Sequence, residues 1–167
     1  YGHKLLTGRK NGFEKGHYRE VSGYSNQHES KHDYFTVGHT STSISLATGL
    51  AKARDLKKES GNVVAFIGDG SLSGGLAFEG LNNGGVLQSN LILLVIDNEM
   101  SIDENHGSLY KNLAELRQTN GKSSNNLFKA MGFDYRYVDN GNDLETVIRL
   151  IEEVKDIDNP IVLHVHT

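Results

Sequence analysis

Two short segments, 29 positions apart, hold the residues best suited to chemistry: Asp69 within Gly68-Asp69-Gly70-Ser71, and Asn98 within Asp97-Asn98-Glu99-Met100. Each follows a short apolar run. Asp69 offers a carboxylate, Asn98 an amide oxygen, and the loop carbonyl of Met100 a third oxygen. Three hard oxygen ligands leave half an octahedron open. That suits Mg²⁺, which prefers oxygen and is commonly shared with phosphates of a substrate or cofactor. Gly70 and Ser71 can present backbone N–H groups to a phosphate where the next helix begins. Taken alone, Gly68–Ser71 fits an ordinary strand-to-helix turn with a capping Asp equally well. The second loop, one α/β crossover further on, moves the reading to a Mg²⁺–diphosphate site, without saying which diphosphate.

The elements that must position these groups follow from the apolar pattern. Val63–Ile67 and Leu91–Ile96 read as buried strands, with Tyr135–Val138 and Ile161–His166 completing the set. Residues 40–58 read as a helix with N-cap hydroxyls at Thr40, Ser41 and Thr42. Leu76–Leu87 reads as a helix whose small face, Ala77, Gly80, Leu81 and Gly84, allows close packing. Leu109–Arg117 and Asn126–Met131 read as short helices. Leu144–Val154 reads as an amphipathic one, with Leu144, Val147, Ile148, Ile151 and Val154 on the apolar side. Residues 1–33 read as loops with little regular structure, and Tyr34–Val37 as strand-like. Alternating strands and helices predict an α/β domain with a mainly parallel sheet flanked by helices. The polar loops Gly68–Gly75 and Asp97–Ser108 should then lie side by side at the carboxyl edge of that sheet, where such folds bind ligands.

Composition narrows the classes. The 167 residues carry 17 Lys and Arg against 21 Asp and Glu, a net charge of −4. No basic face is implied, which argues against a nucleic-acid partner. The longest apolar run, Leu91–Ile96, is too short to span a bilayer. Without cysteine, disulfides and thiolate-bound metals are excluded. A cytoplasmic protein fits. The chain starts at Tyr1 inside structured sequence and stops at Thr167 after a strand-like run, so it reads as a single diphosphate-binding domain, a fragment or the ordered part of a longer multidomain chain.

Gly68-Asp69-Gly70, then 27 residues, then Asn98, resembles the thiamine diphosphate motif. Further segments are similar to those of 1-deoxy-D-xylulose-5-phosphate synthases: His3-Lys4-Leu5-Leu6-Thr7-Gly8-Arg9, Val37-Gly38-His39-Thr40-Ser41-Thr42-Ser43-Ile44-Ser45, Gly74-Gly75-Leu76-Ala77-Phe78-Glu79-Gly80-Leu81-Asn82 and Asp97-Asn98-Glu99-Met100-Ser101-Ile102. The resemblance covers nearly the whole chain and implies a thiamine diphosphate-binding fold. It implies Mg²⁺ on Asp69, Asn98 and the Met100 carbonyl, and cofactor contacts from His3, Gly38, His39, Thr40, Gly70, Ser71 and Asn98. His39 and His3 become the candidate catalytic residues, since imidazole titrates near neutral pH. The implied reaction joins pyruvate to glyceraldehyde 3-phosphate with loss of CO₂, in a homodimer. A second domain is also implied, to supply the aminopyrimidine pocket and an activating glutamate. No segment here matches it, so this chain alone is expected to be inactive.

Two departures bear on the substrate. Longer family members carry an insertion between the Asn98 loop and the helix holding Leu127-Phe128-Lys129, where this chain has only Leu109–Asn126. The stretch from Arg9 to Asp33 is also compact. Transketolase-like ketol transfer and a non-catalytic cofactor-binding module are the competing functions. Of the other histidines, His164 and His166 share one face of the last strand and read as structural or interfacial. His17, His28 and His32 read as solvated, and Tyr1, Tyr18, Tyr24 and Tyr34 as loop aromatics packed on the domain.

Overall fold

The computed structural model describes residues 2–17 and 19–167, in two units, Tyr1–His39 and Thr40–Thr167. Tyr1 and Tyr18 lie outside the described residues.

The first unit is more regular than its composition suggests. It opens with helix α1, Gly2–Leu6, followed by a 3₁₀ turn at Lys10–Phe13. The cause is a polar network. Lys4 is fully buried and donates to the Ser22 carbonyl at 2.7 Å and to Glu29 Oε2 at 2.7 Å. Arg9 donates to Glu29 Oε2 at 2.6 Å and grips Asp33 with both arms, at 2.8 and 2.6 Å. A buried ammonium must be paired to be tolerated, so one helical turn forms to carry Lys4 to its acceptors. Two of the tyrosines do not supply the packing expected of them: Tyr24 and Tyr34 are exposed. Tyr34–Val37 is not a strand either, and pairs only through one bridge between Val37 and Ser25.

This network sets an acid limit for the unit. Arg9 holds the Asp33 carboxyl down to about 2 against its burial. Burial likewise opposes ionisation of Glu29, but bonds from Lys4, the Ser22 N–H and Arg9 hold it to about 2. Both folded values lie below the ordinary 3.8 and 4.5. Their stabilisation is therefore complete above the ordinary values and is lost as pH falls through the folded ones. Carboxyl-carbon NMR titration should give midpoints near 2 for both residues, with the Ser22 and Asn26 amides losing protection in the same window. Midpoints at the ordinary values would contradict the network.

The second unit is built on four parallel strands: β1 Val63–Gly68, β2 Leu91–Asp97, β3 Asp134–Val138 and β4 Pro160–His166, in the order β1-β2-β4-β3. The helices are α2 Ser43–Lys57, α3 Asp69–Leu72, α4 Gly75–Gly84, α5 Ser108–Gln118, α6 Leu127–Ala130 and α7 Leu144–Val154. Period-2 alternation splits β2 between two cores. Leu91, Leu93 and Val95 join Ile44, Leu81 and Phe128 on one face, while Ile92 and Leu94 join Leu150 and Val154 of α7 on the other.

The α4 face behaves as its small residues imply. Ala77, Gly80, Leu81 and Gly84 are buried, and a Cβ on Gly80 would come within 2.8 Å of the Ser45 backbone nitrogen. The helix stops at Gly84, short of the expected Leu87, and at the next residue, Gly85, the Met131 carbonyl leaves no room for a side chain. The α7 stripe is wider than the surface it covers: Val154 is buried, but Leu144, Ile148 and Ile151 stay exposed. Arg54, in the last turn of α2, ties the Gly61 and Asn90 carbonyls together at 2.7 and 2.9 Å.

Candidate active site

Parallel pairing sets Gly68 opposite Ile96, so β1 and β2 release Asp69 and Asp97 side by side at the carboxyl edge. The first loop is not the open stretch expected over Gly68–Gly75. It contains the helical turn α3, because Leu72 is fully buried and draws the chain inward. Ser41, at φ +67°, donates its hydroxyl to the Ser71 carbonyl at 2.6 Å and packs where a Gly74 side chain would stand.

The two loops lie against each other, as the topology predicts. Asn105 donates to Asp69 Oδ2 at 2.8 Å. A Cβ on Gly70 would come within 2.3 Å of Ser101 Cβ. Gly70 is therefore bare first of all because the second loop occupies the space. Asn98 follows Asp97 and is exposed; its Oδ1 accepts from the Met100 N–H at 3.2 Å, a local turn that fixes the amide relative to Met100. Thr40 is exposed, and Ser71 is half-buried within α3.

Two carboxylates at this edge differ in their surroundings. Asp97 is fully buried and takes bonds from His164 Nε2 at 2.8 Å, from Arg117, and from the Glu99 N–H at 3.1 Å. Burial opposes its ionisation, but His164 and Arg117 outweigh that and keep it well below the usual carboxylate range. Asp69 is almost as buried, yet its side-chain donor, Asn105, is neutral. Burial first, then the neighbouring Asp97 charge, push its carboxyl up. Such a carboxylate favours a cation beside it. A cavity of about 270 Å³ opens there, lined by Asp69, Asp97, Glu99, Asn105, Tyr110 and Lys111 among others. Among the described residues no three His, Cys, Asp or Glu side chains form a metal cluster; a set of one carboxylate, one amide and one carbonyl would not be of that kind.

His3, Gly38 and His39 belong to the first unit. His3 Nε2 stands 3.7 Å from Asp33 Oδ1, and burial lowers its pKa, with Arg9 adding to that effect against the pull of Asp33. His39 and Gly38 are exposed. Of the remaining histidines, His164 is fully buried, while His28 and His32 are exposed as expected. His17 is half-buried and meets Glu20 at 2.8 Å.

A sequence profile described as 1-deoxy-D-xylulose-5-phosphate synthase matches residues 1–126 and 117–167, the whole chain between them. The chain belongs to that family. Among synthases of this name, that of Lachnoclostridium phytofermentans is 48% identical, with 93% of this chain and 23% of the relative covered. That of Listeria monocytogenes serotype 4b is 42% identical over all of this chain and 29% of the relative. That of Clostridium beijerinckii is 37% identical over all of this chain and 33% of the relative. The chain thus spans about a third or less of the length of these synthases. The Clostridium alignment runs over 203 positions against 167 residues here, so part of the relative has no counterpart. The two matched segments meet and overlap at 117–126, where the shortened stretch was expected. A transketolase from Campylobacter jejuni superposes with a TM-score of 0.57 at 22% identity, over 76% of this chain and 19% of that one. This likeness shows the fold, the α/β arrangement expected of the synthase family.

The loop contact at Gly70 can be tested directly. Gly70→Ala in the full-length protein should lower the melting temperature, since overpacking a tight contact costs about 1–3 kcal/mol. Adding Ser101→Gly should recover part of that loss, leaving only the Ser101 Cα, 3.2 Å from the new Cβ. Thermal melts of the two single variants and the double variant form the cycle. An unchanged melt for Gly70→Ala would mean the loops are not in contact.

Proposed function

We propose that this chain is the diphosphate-binding part of a thiamine diphosphate- and Mg²⁺-dependent 1-deoxy-D-xylulose-5-phosphate synthase. Pyruvate and glyceraldehyde 3-phosphate would combine, taking up a proton, to give 1-deoxy-D-xylulose 5-phosphate and CO₂, feeding isoprenoid precursor synthesis. The observation that carries this reading is Asp69: a buried carboxylate without a cationic partner, beside a carboxylate whose charge is already matched, in a chain of this family. The donor set fits the group. Asp69, the Asn98 amide oxygen and the Met100 carbonyl would hold Mg²⁺, while the N–H groups of Gly70 and Ser71 would face diphosphate oxygens. When bound, thiamine diphosphate supplies the carbon nucleophile.

The chain's own residues bind and orient. Asp69 would supply the anionic ligand that holds the metal at a buried edge, and the metal would in turn offset the diphosphate charge. His39 and His3 would contact the cofactor and hold or pass a proton at a reacting oxygen, with burial lowering the pKa of His3. A second domain, a homodimer and a cytoplasmic setting belong to the same reading. Among the described residues no helix is long and apolar enough to cross a membrane.

A product assay on the full-length protein tests this. Supplied with glyceraldehyde 3-phosphate, thiamine diphosphate and Mg²⁺, it should consume pyruvate and release CO₂ with the five-carbon product. Turnover with a ketose phosphate donor and none with pyruvate would move the assignment to ketol transfer.

A further inference from the structure

A chain of hydrogen bonds runs through the core to the turn that carries Asn98. Tyr135, on β3, lies with its hydroxyl 2.7 Å from His164 Nδ1. His164, on β4, is fully buried and stands opposite Val95 in the register with β2. Its Nε2 lies 2.8 Å from Asp97 Oδ2. A carboxylate only accepts, so Nε2 carries a proton, and in the neutral ring Nδ1 accepts from the Tyr135 O–H. Asp97 Oδ1 in turn accepts from the Glu99 N–H at 3.1 Å. Arg117 closes the arrangement, donating to Asp97 and, at 2.9 Å, to the Glu99 carboxylate.

What this clamp holds is a strained turn. Glu99 sits at φ +65°, a conformation that a non-glycine residue adopts only at a cost. It lies between Asn98 and Met100, so its backbone angles decide where the amide oxygen and the Met100 carbonyl point. Asp97 and Arg117 grip it at both its N–H and its carboxylate, and buried Asp97 is held from behind by His164.

We propose that His164 is a positioning residue for the metal site: acting through Asp97, it keeps the Asp97–Met100 turn in the geometry that offers the Asn98 and Met100 oxygens to Mg²⁺. The inference rests on the metal reading given above. It differs from a purely structural role for a core histidine, which predicts lost stability with unchanged affinity for the ion in whatever protein remains folded.

The test is calorimetric titration of the full-length protein with Mg²⁺ in the presence of thiamine diphosphate, alongside thermal melts. Outer partners of metal ligands typically contribute about 10–100-fold in affinity or activity. His164→Leu should weaken Mg²⁺ binding by about that factor. His164→Gln, whose amide N–H can reach Asp97, should recover most of it, and turnover at saturating Mg²⁺ should fall much less than affinity. Asn98→Ala serves as the control. If Asn98→Ala weakens Mg²⁺ binding and His164→Leu, folded at the assay temperature, does not, the positioning role is wrong while the metal site stands. If neither changes affinity, the metal reading falls and the inference with it. Should His164→Leu not fold, His164→Phe carries the test. It keeps a ring among Phe128, Tyr135 and Tyr137 but has no N–H for Asp97, so Mg²⁺ binding should again weaken, and unchanged affinity would overturn the proposal.

Discussion

Asp69→Ala in the full-length protein is expected to abolish Mg²⁺-dependent binding of thiamine diphosphate. The carboxylate is 3% exposed and bonded to a neutral amide, and Asp97 beside it already has His164 and Arg117. Removing Asp69 takes away the buried, uncompensated anion that would draw a divalent ion to an amide and a carbonyl. Asp69→Asn sharpens the result. It keeps the shape and removes a charge that burial and Asp97 both disfavour, so its melting temperature without ligand should be no lower than wild type while the ion is lost. Stability gained at the expense of binding is the mark of a functional carboxylate. Calorimetry with thiamine diphosphate and Mg²⁺, paired with melts, reads both quantities. Wild-type affinity in Asp69→Asn would remove this residue from the site.

The second large effect is expected at His39. His39→Ala should lower turnover with pyruvate and glyceraldehyde 3-phosphate by roughly 10²–10⁴-fold, the range of a positioned acid–base group, with the melt little changed. His39 is exposed in the first unit and belongs to the Gly38-His39-Thr40 stretch shared in pattern with the synthase family. A histidine that merely packs its loop predicts the opposite: a lower melting temperature and near-normal turnover per folded molecule. Steady-state kinetics matched to a melting curve separates the two.

The sheet and its crossovers were legible because four short apolar runs alternate with helical ones, and strand polarity follows from the crossovers. The approach of the two carboxyl-edge loops followed from the same topology, and Asp69 with Asn105 and Gly70 with Ser101 realise it. Legibility failed where structure depends on partners far apart in sequence. Nothing local marks Lys4 as buried; its acceptors come 18 and 25 residues later. Asp97 stood in plain view beside Asn98, yet its burial depends on His164, 67 positions away, and on Arg117. A histidine on an otherwise apolar strand, Ile161 to Val165, was the available clue, since a buried imidazole must find partners. The end of α4 was misjudged because apolar Val86 and Leu87 extend the helical pattern past Gly84, where the helix ends.

The central claim is that the edge formed by Asp69, Asn98 and Met100 holds the metal of a diphosphate cofactor. Anomalous diffraction from crystals of the full-length protein, grown with thiamine diphosphate and with Mn²⁺ replacing Mg²⁺, tests it most directly. The account predicts one strong peak within coordination distance, about 2.0–2.2 Å, of an Asp69 carboxylate oxygen, the Asn98 amide oxygen and the Met100 carbonyl. A fully bound cofactor whose metal peak lies away from Asp69 and Asn98 would contradict it.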